Sequence, residues 1–157
     1  MVFSSLSFFH KLFCDHLGSR GKQLPLSLLH HPALQENKID MVVLAGFLGI
    51  LSGDLIDRFG GPIINIHPAL IPSFCGKGMY GLRPHQAALE YGVKVTGATV
   101  HYVNAIPDGG KIIAQKAVEI LPGDTAEVLQ RRVMEQAEWK ILPAAAEQVA
   151  KELVEKR

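Results

Sequence analysis

Short apolar runs alternate with amphipathic stretches between residues 34 and 157, and their order predicts an α/β fold. Met41 to Ala45 is a brief, β-branched run stopped by Gly46, the pattern of a buried strand in a parallel sheet. Ser52 then stands as an N-cap before a short helix in which Leu55, Ile56 and Phe59 share a face and Gly60 and Gly61 supply the stop. Ile63 to Ile66 follows as a second apolar strand. Strand, helix and strand in about thirty residues predict a right-handed βαβ unit with a site at the carboxyl ends of its strands.

The second strand runs into a Gly- and Pro-rich loop that ends at Pro84, which suits the first turn of a helix closing at Gly92. Lys94 to Val103 alternates Thr96, Ala98, Val100 and Tyr102 on one face with Gly97, Thr99, His101 and Val103 on the other, a strand pattern. Pro107 to Gly110 is a turn, and the run from Lys111 to Ile120 reads as its antiparallel partner. Asp124 and Glu127 have capping-box spacing, and Leu129, Val133, Ala137 and Ile141 form a stripe along the helix that follows. Pro143 is expected to kink or divide that helix, which continues toward the C-terminus. The expected architecture is a mainly parallel, Rossmann-like sheet flanked by helices, with an antiparallel extension at 94–120 and a long C-terminal helix. A short helix end is expected near residues 32–40. Residues 1–33 hold four of the seven histidines but show neither period, so the chain divides into an atypical segment, 1–33, and a domain, 34–157.

Composition narrows the function classes. With 157 residues, 48% hydrophobic and 20% charged, the chain can bury a core as one domain. Sixteen Lys and Arg against fifteen Asp and Glu leave +1, no global excess to attract nucleic acid or an anionic membrane. Cys14 and Cys75 are too few for a disulfide framework or a cysteine zinc site, and no metal motif occurs, so no metal is expected. The longest apolar run, Met41 to Leu51, is too short to span a bilayer. The N-terminus lacks the basic start of a secretory signal, leaving a transit peptide open, and a cytoplasmic protein is the expectation.

Candidate chemistry centres on Asn65 and His67. Two residues apart on a strand, they present an amide and an imidazole to the same side, able to bind a carbonyl oxygen and to hold a proton at neutral pH. A polar pair that only caps loop backbone is the alternative. Asp108 stands in a turn where aspartate commonly serves its own backbone and the two following glycines permit positive φ; only closeness to His67 would give it a chemical role. His85 on a helix and His101 in mid-strand have weaker claims, and His30 and His31 read as a solvated loop. Gly76 to Gly81 matches no phosphate-loop fingerprint and reads as a flexible active-site loop.

Taken together, MVVLAGFLGILS, IINIHPALIPSFCGKGMYG, VTGATVHYV, PDGGKIIAQ and RRVMEQAEWKILP resemble the phosphoribosylglycinamide formyltransferases, folate-dependent enzymes of purine synthesis. The segment HPALIPSFCGKG favours this family over methionyl-tRNA formyltransferases and formyltetrahydrofolate deformylases. The resemblance implies Asn65, His67 and Asp108 as the catalytic set. Asn65 and protonated His67 would stabilise the oxyanion formed when the amine of glycinamide ribonucleotide attacks the formyl carbon of 10-formyltetrahydrofolate, and Asp108 would keep His67 basic and relay protons. It further implies that Leu48, Gly49, Ile50 and Leu51, with Asn65 and Asp108, receive the folate, and that Glu138 lies near the ribonucleotide. Gly49 replaces a basic residue of some relatives, and Trp139 stands where a histidine is common.

The family's domain opens with a strand and a glycine-rich, phosphate-holding loop that residues 1–33 do not reproduce, so an N-terminally incomplete copy is expected. Such a chain would expose a sheet edge, which a homodimer could cover. Two other readings follow from the same residues: a non-catalytic remnant or folate-binding interaction module, and a hydrolase of 10-formyltetrahydrofolate.

Overall fold

A computed structural model describes residue 34, residues 38–47 and residues 51–156 of the chain. Its sheet holds four strands in sequential order, β1 (Val42–Ala45), β2 (Ile63–His67), β3 (Val95–Tyr102) and β4 (Ile112–Glu119). Helix α1 (Gly53–Phe59) joins β1 to β2, and α2 (Arg83–Tyr91) lies between β2 and β3. After β4 come α3 (Ala126–Val133), a π-helical turn (Met134–Glu138) and α4 (Trp139–Glu155). The α/β class matches the expectation, as does the antiparallel pairing of β3 with β4. The described part of the sheet is mixed, with β1 and β2 parallel and β2 and β3 antiparallel. Among the described residues no helix is long and apolar enough to cross a membrane.

The two faces of the sheet have different chemistry. Ile64 and Ile66 of β2, Ala98 and Val100 of β3 and Val118 of β4 pack against Leu129, Val133, Ala137, Leu142, Ala145 and Val149. That contact is the core, and it holds the C-terminal helices on one side. In the β2–β3 register Asn65 faces His101 and His67 faces Thr99. Residues on adjacent strands that face each other point to the same side, so these four polar residues share the opposite face. Met41 to Ala45 is half-buried, not buried as its apolar run suggests, because β2 is its sole strand neighbour among the described residues.

Local signals account for the helix ends, with two corrections. Ser52 caps α1 by accepting from the Leu55 amide, and Gly60 closes it in the left-handed conformation at φ 68°. Pro84 sits in the first turn of α2, and Gly92 ends it at φ 82°. The cap of α3, however, is Thr125, which accepts from the Val128 amide; the expected cap, Asp124, is engaged by Arg132 instead. Arg132 Nη2 donates to Asp124 Oδ1 at 2.6 Å, and Arg132 Nη1 also donates to the Glu119 carbonyl at 3.1 Å, so Asp124 ties the loop after β4 to α3.

The second correction concerns the apolar stripe. Leu129, Val133 and Ala137 are buried as the four-residue spacing requires, but the next buried position is Leu142, with Ile141 half-buried. The five-residue step spans the π turn, whose wider winding takes up one extra residue and keeps the stripe over the sheet. The irregularity therefore falls at Met134–Glu138, while Pro143 lies inside α4. The short helix end expected near residues 32–40 lies largely outside the described residues.

Two glycines give a contrast that tests this packing. A Cβ on Gly97 would sit 2.0 Å from the Lys116 carbonyl oxygen and 2.9 Å from Leu70 Cδ2, whereas one on Gly60 would meet nothing within 4 Å. Gly97→Ala is expected to lose more than about 3 kcal/mol or to fail to fold. Gly60→Ala pays only for its left-handed backbone, about 1 kcal/mol. Urea melts of the two variants, read side by side, check the prediction; equal losses would contradict it.

Candidate active site

The polar face of the sheet opens on a small cleft of about 100 Å³ beside the ends of β1, β2 and β3. Asn65, His101, Asn104 and Asp108 supply its polar lining, and its apolar walls include Leu44, Phe47, Leu51 and Val103. Asp108 reaches this place from the Pro107–Gly110 turn. Its own φ is 55°, the left-handed region that aspartate tolerates better than most residues. Gly109 and Gly110 serve a different need from the positive φ expected of them. A Cβ on Gly109 would lie 2.6 Å from Ile106 Cγ2, and one on Gly110 only 1.6 Å from the Tyr102 carbonyl oxygen.

Three of the residues singled out from sequence converge here. His67 Nδ1 lies 3.5 Å from Asp108 Oδ2. Asn65 Nδ2 lies 3.3 Å from His101 Nε2, which in turn is 3.6 Å from Asp108 Oδ1. His67 is 4% exposed and does not line the cleft; Asp108 stands between the two. Burial lowers the His67 imidazole below its ordinary pKa, and the upward pull of the Phe74 carbonyl and of Asp108 does not overcome it. Asp108 pulls the imidazole upward, as a carboxylate neighbour must, but desolvation outweighs that pull. For Asp108, burial raises the carboxyl, but the His101 ring, the Gly76 amide and the His67 ring together hold it below the usual carboxylate range.

The loop after β2 is bound to these groups rather than free. His67 Nε2 donates to the Phe74 carbonyl at 2.9 Å, which puts the proton of a neutral ring on Nε2 and leaves Nδ1 facing Asp108. The Gly76 amide donates to Asp108 Oδ2 at 2.7 Å. Thr99 anchors the same loop from below: its hydroxyl donates to the Ala69 carbonyl at 2.7 Å and accepts from the Ile71 amide at 3.1 Å, and Gln115 Nε2 donates to the Ile71 carbonyl at 2.9 Å. Arg83, stacked 4.7 Å over the Tyr80 ring, donates to the Gly78 carbonyl at 3.3 Å.

Other expected residues fall as follows. Leu51 is buried and lines the cleft, while Leu48, Gly49 and Ile50 lie outside the described residues, as do His30 and His31. Glu138 occupies the π turn, half-buried, and is not in the cleft lining. Desolvation there lifts its carboxyl to about 7. His101, given a weak claim from sequence, is a full member of the cluster. Its signal was its place on the same strand face as Thr99, which becomes informative only once the β2–β3 register is known. Among the described residues no group of three or more His, Cys, Asp and Glu is placed to hold a metal ion.

His85 is buried with both ring nitrogens lacking a hydrogen-bond partner among the described residues. Burial, aided by the nearby His67, lowers its pKa from 6.5 to about 4. The unfolded chain therefore binds a proton that the folded chain refuses between those values, and stability, whole above pH 6.5, drains as pH falls toward 4. The loss over that window is of order 3 kcal/mol. His85→Leu is expected to flatten the pH dependence of stability by about that amount. His67 shifts the same way but remains in both proteins, so the difference between their urea-melt profiles isolates His85. Parallel profiles would show that His85 titrates normally.

Comparison with known proteins joins this geometry to a family. Residues 27–146 match the Formyl transferase family. A chloroplastic phosphoribosylglycinamide formyltransferase of Arabidopsis thaliana is 46% identical over 101 residues, covering 64% of this chain and 35% of that protein. The trifunctional purine biosynthetic protein adenosine-3 of Homo sapiens is 50% identical over 117 residues, covering 74% of this chain and 11% of that one. The crystal structure of a phosphoribosylglycinamide formyltransferase from Anaplasma phagocytophilum superposes with a TM-score of 0.69 at 40% identity, covering 77% of this chain and 55% of that one. The chain thus spans about half or less of the length of these relatives. Since the family match takes in β1, β2, β3 and β4 together with the turn that carries Asp108, the chain belongs to the formyl transferase family.

Proposed function

We propose that the site transfers the formyl group of 10-formyltetrahydrofolate to the amine of glycinamide ribonucleotide. The observation that carries this reading is the meeting of Asn65 and Asp108 at one cleft, with His67 joined to the far side of Asp108. Apolar walls at Leu44, Phe47 and Leu51 suit a flat heterocycle such as a pterin. The named formyltransferases that resemble the chain support the same substrates.

The chemistry follows from the groups in place. The acceptor amine attacks the formyl carbon, and the carbonyl π pair moves onto oxygen to give a tetrahedral oxyanion. An Asn65 N–H donates to that oxygen. The attacking nitrogen becomes positively charged and loses a proton to Asp108, whose depressed pKa keeps it ionised and ready to accept. His67 Nδ1, with its lone pair turned to Asp108, takes that proton onward and becomes the cation that balances the oxyanion. Collapse expels the folate nitrogen, which recovers the proton. Glu138, with its carboxyl near half-ionised at neutral pH, is the group we assign to the ribonucleotide.

Formyl transfer by the purified chain, followed with both substrates, is the test. Asp108→Asn and His67→Ala are each expected to lower kcat by about 10²–10⁴. Full activity of either variant would remove that residue from the mechanism. Binding of a folate analogue with no transfer by the unaltered chain would favour a folate-binding module, and formate release without acceptor would favour a hydrolase.

A further inference from the structure

Two ring nitrogens of His101 face three groups, and only one arrangement of protons suits the shorter contacts. Nδ1 is 2.8 Å from the Tyr102 carbonyl oxygen, which can only accept, so Nδ1 carries hydrogen. Nε2 faces Asn65 Nδ2 at 3.3 Å, an atom that can only donate, and Asp108 Oδ1 at 3.6 Å, an atom that can only accept. The first distance is within hydrogen-bond reach and the second is beyond it. A ring with hydrogen on Nδ1 and a lone pair on Nε2 satisfies both short contacts.

We propose that His101 is a positioning residue for Asn65: held in its Nδ1–H tautomer by the Tyr102 carbonyl, it accepts a hydrogen bond from the Asn65 amide and so decides which end of that amide meets the cleft. The two ends of an asparagine side chain have nearly the same shape, so packing alone does not choose between them. Turned over, the Asn65 oxygen would face the lone pair of His101, an arrangement with no donor. In the orientation found, one N–H is spent on His101 and the second remains for an oxyanion.

The backbone is built to hold this pair. Asn65 and His101 are directly opposed in the β2–β3 ladder. The β3–β4 ladder shifts register between Val100 and His101, skipping Ile113, and a bulge at that point increases local twist and re-aims the neighbouring side chain. His101 is 2% exposed, which keeps its side of the bond out of bulk water.

The inference rests on the proposed formyl transfer, and the test has one arm that does not. In the kinetic arm, His101→Asn keeps an amide near the Nδ1 position but reaches no further, while His101→Gln carries an acceptor oxygen to the Nε2 position. His101→Asn is expected to lower kcat by about 100-fold with KM for the folate changed less than about threefold, and His101→Gln to recover to within about fivefold of the unaltered protein. In an Asn65→Ala background His101→Asn is expected to cost no more than about twofold further. Full additivity there, together with non-additivity against Asp108→Asn, would overturn the proposal and assign His101 to Asp108. In the second arm, nitrogen-15 NMR of the unaltered full chain is expected to show Nδ1 of His101 protonated and Nε2 unprotonated, with the Nε2 resonance moved by Asn65→Ala. A protonated Nε2 would overturn the proposal whatever the activity, and this arm decides if a His101 variant fails to fold.

Discussion

The register of one antiparallel strand pair governs everything else in the described structure. With Asn65 set against His101 and His67 against Thr99, all four polar side chains fall on one face of the sheet, and Ile64, Ile66, Ala98 and Val100 fall on the other. A slip of one residue would exchange the faces, burying amide and imidazoles under α3 and α4 and turning the aliphatic residues toward the loop. Neither the core nor the site could survive the exchange, so the packing that stabilises the fold also places the chemistry.

A buried polar face has to be satisfied bond by bond, and it is satisfied unevenly. Thr99 makes every bond open to a hydroxyl, two of them to the loop after β2 and the third to Gln115 of β4. Asn65, His67 and His101 are bonded, but at the longer end of the range in the case of the Asn65 contact. His85 is not bonded among the described residues.

Much of this was legible from the chain itself. Short apolar runs, one alternating stretch and the Pro107–Gly110 turn located the four described strands, and Asn65 and His67 declared themselves by their spacing at a strand end. What escaped was whatever depends on how distant segments align. His101 looked ordinary because no local signal states which residue lies across the ladder. Asp124 carried capping-box spacing but was captured by Arg132 eight positions on, a charged partner outbidding a backbone amide. The extra residue of the π turn was invisible because a four-residue stripe reads the same until Leu142 replaces Ile141 as the buried position. Asp108 was ambiguous for a related reason: the turn explains its presence, and only three dimensions explain its company.

The loop after β2 touches the proton-carrying pair at two points, and the contacts have opposite electrical sense. The Phe74 carbonyl favours hydrogen on His67, and the Gly76 amide favours its absence from Asp108. Moving these neighbouring residues away together would make the imidazole a weaker base and the carboxylate a stronger one. The free-energy gap for passing a proton from Asp108 to His67 is therefore a function of where the backbone of residues 74–76 lies, and displacement of that backbone and relocation of the proton are linked by a single equilibrium.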